Sequence, residues 1–118
     1  MFRIKNKIIG VPTVREPDGL ACSSRNRYLT SEERNQAPVI RAGLTKAADL
    51  AGNGETSGAT IVSTARDVIQ SAPVARIDYV ELVDAETLQP IEAVRPNSLL
   101  AAAVFFGRTR LIDNVRLP

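Results

Sequence analysis

The chain has 118 residues, and its 44% hydrophobic content is enough for one domain with a modest core. Fifteen basic residues against thirteen acidic ones leave a net charge of only +2, and two Tyr, three Phe and no Trp offer little to stack on bases, so no nucleic-acid partner is expected. A single Cys excludes an internal disulfide, the lack of any His removes a Cys/His zinc site, and no apolar run approaches the roughly twenty residues that span a bilayer. We therefore expect a soluble, cytoplasmic protein with no metal ligands of its own and no membrane partner.

Residues 1–12 open with a basic stretch and pass into an apolar run that Gly10 and Pro12 interrupt. That run is too broken for a signal-peptide core and reads as a leader feeding a strand over 8–14. Residues 13–27, TVREPDGLACSSRNR, form the second zone. Pro17-Asp18-Gly19 is turn chemistry, since Pro fixes one φ and Gly admits a positive one. Asp18 therefore reads as a turn carboxylate rather than a metal ligand. Ser23, Ser24 and Arg25 then set two hydroxyls beside a permanent cation, with backbone amides between them. Phosphate oxygens accept from all three kinds of donor, so the run suits a phosphate clamp, although an ordinary polar loop has the same composition. Cys22 reads as a packing residue; a reactive thiolate is the alternative, with Arg25 as the nearby cation.

Residues 28–118 are the body of the domain. Thr30 and Glu33 make a capping box, and Ala37, Ile40, Leu44, Ala47, Ala48 and Ala51 follow at the spacing of one buried helical face. Pro38 lacks an N–H and crowds the carbonyl of Arg34, which predicts a break near residues 35–38 and a longer helix over about 38–50. AGNGETSG, residues 51–58, is the flexible connection. A second helix is predicted over 57–71, with Ile61, Ala65, Val68 and Ile69 inward and Pro73 as its stop. The period then falls to two. Residues 77–84 read as a strand with Val80 and Leu82 on one face and Ile77, Tyr79 and Val83 on the other. Residues 85–88 turn, and Ser98–Phe106 is an apolar strand whose two faces should both be covered. Gly107-Arg108 reverses the chain into an antiparallel partner over 109–115. Glu81 is expected to meet Arg110 across this sheet, Asp113-Asn114 to cap a turn, and Arg108 to stay at the surface. The fold class is α+β, a two-layer domain of two main helices on a small antiparallel sheet.

The run TVREPDGLACSSRNRYL, with Asp78-Tyr79-Val80-Glu81 and Thr109-Arg110-Leu111-Ile112-Asp113-Asn114, resembles the pantothenate synthetase (pantoate–β-alanine ligase) family over roughly residues 8–114. Cys22, where the family more often has Met or Leu, and Pro38, inside a helix, are departures. The resemblance implies the C-terminal, lid-like domain of a nucleotidyltransferase-type ligase. It divides the chain into an orphan strand and leader (1–12), a hinge and ATP-phosphate loop (13–27) and the lid domain (28–118). It also implies the reaction: pantoate attacks the α-phosphorus of ATP, and β-alanine then attacks the pantoyl adenylate to give pantothenate and AMP. ATP, pantoate and β-alanine are the implied partners, with Mg²⁺ held by the domain that carries the family's His-containing phosphate loop. Carried over by position, Val14 contacts the adenine side through its backbone, and Cys22, Ser23, Ser24 and Arg25 line the nucleotide. No residue here is implied as catalytic, so the chain alone is expected to be inactive. The competing expectation is a non-catalytic domain that self-associates through the strand over 8–14 as a homo-oligomer.

Overall fold

The computed structural model describes residues 14–117, so the leader and most of the strand expected over 8–14 lie outside the described residues. Self-association through that strand lies outside them too.

Helix α1 (Ser31–Gln36) starts at the predicted capping box: the Thr30 hydroxyl accepts from the Glu33 amide at 3.1 Å, and the Glu33 carboxylate accepts from the Thr30 amide at 3.0 Å. The break falls at Ala37-Pro38. Pro38 then begins α2 (Val39–Gly52) at φ −60°, where its missing N–H costs nothing. The buried face of α2 holds Ile40, Gly43, Leu44 and Ala47. Helix α3 (Gly58–Gln70) is capped by the Ser57 hydroxyl, which accepts from the Thr60 amide, and it buries Ile61, Ala65 and Ile69. Val62 packs against the same core, whereas Val68, expected inward, is only half-buried. The two helices approach so closely that a Cβ on Gly43 would stand 2.8 Å from the Ala65 carbonyl oxygen.

Strands β1 (Ala75–Asp84), β2 (Ser98–Phe106) and β3 (Thr109–Arg116) form an antiparallel sheet in that order, with β2 central. Phe106 and Thr109 close a two-residue hairpin, and Gly107, at φ +65°, takes the positive angle that its first position requires. Leu100, Ala102, Val104 and Phe106 face the helices with Val80 and Leu82. On the opposite face Leu99 joins Val83 and Ala85 in a small second cluster, and Phe105 lies beneath the Arg76 guanidinium at 4.6 Å.

Two strand expectations need correcting. The ladder slips between Ile77 and Tyr79, so Asp78 is an extra residue and Ile77 joins the helix-facing core with Val80 instead of sharing Tyr79's face. Glu81 does not meet Arg110, because Glu81 stands level with Ala101 of β2 whereas Arg110 stands level with Phe105, four residues further along the strand. Arg110 pairs instead with Asp78 at 2.9 Å. The result is the α+β, two-layer arrangement expected, with β3 on one flank of the sheet. Among the described residues no helix is long and apolar enough to cross a membrane.

Candidate anion-binding cleft

Residues 14–22 form a miniature hairpin on that flank. The Cys22 amide donates to the Val14 carbonyl at 2.8 Å, Arg15 bridges Ala21, and the Gly19 amide returns to the Glu16 carbonyl around the predicted Pro17-Asp18 turn. Asp18 serves the turn as expected. It accepts from Arg34 at 2.6 and 3.2 Å, and this guanidinium holds its carboxyl below the usual range. Leu20 is the hairpin's buried anchor. Ser23 then caps a single 3₁₀ turn, Ser24–Tyr28, by accepting from the Arg25 amide at 3.1 Å. Asn26 ties this turn back to the hairpin through the Ala21 carbonyl.

β3 grips the segment at two points. Arg15 makes a two-pronged ion pair with Asp113, at 2.6 and 2.9 Å, and also donates to the Gly19 carbonyl. Arg25 donates to the Arg110 carbonyl at 3.2 Å. Between the grips lies a cleft of about 650 Å³, bounded by Leu20, Ala21, Cys22, Ser23 and Arg25 on one side and by residues 110–114 on the other. A second groove, of about 820 Å³, runs from Arg25 past Tyr28 and Thr30 to Arg108 and Arg110. Arg25 lines both. Among the described residues no carboxylate forms an ion pair with it.

The predicted site residues divide accordingly. Cys22, Ser23 and Arg25 share the first cleft, while Ser24 and Val14 line neither cavity. All five side chains are exposed, Val14 to 73%. Cys22 is therefore not the packing residue expected. Its thiol sits 3.4 Å from a Glu16 carboxylate oxygen, and desolvation together with that carboxylate pushes its pKa upward, away from a reactive thiolate. Sequence reasoning missed Asp113. Placed there as a turn cap, it is instead buried in the middle of β3 and accepts from Arg15. Its ion pair spans 98 residues of sequence, and the only local signal was an acid on the same face of the strand as Leu111. Among the described residues no three His, Cys, Asp or Glu side chains gather into a cluster, and Asp113, the carboxylate that lines the first cleft, is taken up by Arg15.

Exposed hydroxyls and a guanidinium with no carboxylate partner among the described residues stand together on a braced turn of this α+β domain, a set of donors that phosphate oxygens can accept from. The family model for pantoate-beta-alanine ligase matches residues 1–116. The pantothenate synthetase of Salinibacter ruber is 52% identical over 116 residues, and that of Trichlorobacter lovleyi is 49% identical over 111. The crystal structure of the pantothenate synthetase from Thermus thermophilus superposes with a TM-score of 0.86 at 39% identity, over 92% of this chain. The chain belongs to the pantoate–β-alanine ligase family. It spans about 39% of the length of each of these relatives.

Proposed function

We propose that this chain is the C-terminal, nucleotide-closing domain of a pantoate–β-alanine ligase, and that Ser23, Ser24 and Arg25 hold the phosphates of ATP. The observation that carries the reading is Arg25. It is a permanent cation with no carboxylate partner among the described residues, at the junction of two clefts and held only by a backbone carbonyl. A polyanion that displaces the Arg110 carbonyl gains a charge-assisted, two-pronged contact in exchange for a neutral one.

In the family reaction a pantoate carboxylate oxygen bonds to the α-phosphorus as the bond to pyrophosphate breaks. The β-alanine amine then bonds to the acyl carbon, loses its proton and expels AMP. The first step asks for charge neutralisation on the departing pyrophosphate more than for proton transfer. Arg25 supplies a cation there, while the Ser23 and Ser24 hydroxyls and the turn's amides supply donors. Cys22 contributes backbone at the cleft wall and Val14 the hairpin's first hydrogen bond. A turn braced to β3 can approach the nucleotide as one body and screen the hydrolysable acyl adenylate from water.

The test is an ATP titration of the 118-residue chain followed by amide chemical shifts. Binding is expected in the millimolar range, near −4 kcal/mol, with the largest shifts at Ser23, Ser24 and Arg25. Shifts centred elsewhere, or none at tens of millimolar ATP, would contradict the reading. The same chain, which has no His, is expected to release no AMP from ATP, pantoate and β-alanine. Release that depends on both substrates would show that it contains a complete active site.

A further inference from the structure

Asp113 is well placed to hold the phosphate-binding turn in position. It sits in the middle of β3, paired with Ala102 of the central strand, and is 5% exposed. Both of its carboxylate oxygens are engaged. Oδ2 accepts from Arg15 at 2.6 Å, and Oδ1 accepts from Arg15 at 2.9 Å and from the Asn114 amide at 2.8 Å. With three bonds accepted, this acid is committed to Arg15 and its own strand even though it borders the cleft. Its partner Arg15 bridges Ala21, the residue immediately before Cys22. A rigid ladder position is thereby linked through one planar two-pronged pair to the root of the Cys22–Arg25 run.

The other ties on this segment are weaker. Arg34–Asp18 holds the far end of the hairpin with both side chains partly in water, and Arg25–Arg110 is a single bond to a neutral carbonyl. We propose that Asp113, acting through Arg15, is a positioning residue that fixes where Ser23 and Arg25 stand relative to β3. The consequence for ATP rests on the function proposed above; the consequence for the turn does not.

Geometry separates this from mere stabilisation. Arg15→Lys keeps the charge and loses the fork, whereas Asp113→Asn keeps the shape and loses the charge. Val80→Ala is the control, since it truncates the buried core away from this flank. Without ligand, amide exchange at Cys22, Arg25 and Asn26, whose N–H groups donate to the Val14 carbonyl, the Ser23 hydroxyl and the Ser23 carbonyl, is expected to speed up about tenfold in both pair variants and to stay near wild type in Val80→Ala, since a local opening need not involve the core. At matched loss of melting temperature, only the pair variants should then bind ATP more weakly. If Asp113→Asn does not fold, Arg15→Lys decides. Unchanged exchange at Cys22, Arg25 and Asn26 in Arg15→Lys would overturn the proposal, as would equal ATP weakening in Val80→Ala. A wild-type chain that does not respond to ATP would refute the function proposed above, while the exchange measurement would still decide the role of Asp113.

Discussion

The helix–sheet core and the segment 14–29 are built on opposite terms. In the core, Leu44, Ile61, Ile69, Leu100, Val104 and Phe106 are almost wholly removed from water, and a glycine is needed where α2 meets α3. In the segment only Leu20 is buried, and order comes from two ion pairs, one capped turn, local backbone bonds and one bond from the Arg25 side chain to a β3 carbonyl. Apolar burial resists any change of volume, whereas polar anchoring leaves side chains exposed and replaceable. The molecule thus separates a buried apolar core from an exposed, polar-anchored segment, with β3 as the shared boundary.

The comparison breaks most visibly in the core. Phe106→Ala is expected to cost ~3–5 kcal/mol, a large share of a domain's total stability. Chemical denaturation measures it, and a loss below about 1 kcal/mol would mean that the core is looser than its burial indicates. Gly43→Val comes next. A β-branched side chain must push the Ala65 carbonyl and Ile69 away, at ~1–3 kcal/mol, and equilibrium unfolding should show it with no change at the Ser23 and Arg25 amides.

Acid and alkali sharpen the contrast further. Arg34 lowers the Asp18 pKa, and the backbone amides of Thr87 and Glu86 lower that of Asp84. The folded carboxyls therefore bind protons less readily than the unfolded ones. Their stabilisation is present above about pH 4 and is lost as the pH falls below it. Asp18→Asn should flatten that acid limb of the melting curve; an unchanged limb would show that the hairpin pair contributes nothing. Tyr79 shifts the other way, raised chiefly by desolvation, so its stabilisation is kept below about pH 10 and lost above it. The smallest effect on stability is expected at the turn. Ser23→Ala removes one cap and should cost about 0.5 kcal/mol, with local fraying of Ser24–Tyr28 visible in amide exchange.

How far the sequence revealed this division depended on how local each signal was. The Thr30–Glu33 box, the break at Pro38 and the Gly107 reversal are each written within a few residues, and each appears where expected. Period-two reading failed at one extra residue, Asp78. A bulge turns over the faces on one side of it, and nothing in the pattern of Ile77–Asp78–Tyr79 marks it. The expected Glu81–Arg110 pair failed for a related reason: periodicity gives faces but not register, and Arg110 pairs with Asp78 at the bulge instead. The exposed part of the candidate site, Ser23 and Arg25 above all, was readable because its residue types match the chemistry of phosphate. Its support was not. Asp113 acquires meaning only when β3 meets Arg15 in three dimensions, and the need for Gly43 only when α2 meets α3.

Arg25→Ala tests the central claim most directly, with melting temperature and ATP affinity measured on the same sample of the 118-residue chain. An exposed side chain held by one carbonyl should change stability by no more than about 0.5 kcal/mol, while ATP-dependent shifts at Ser23 and Ser24 should weaken by at least about tenfold in affinity, or 1.4 kcal/mol. A variant that binds ATP as well as wild type, or that loses affinity only in proportion to a fall in melting temperature, would contradict the account.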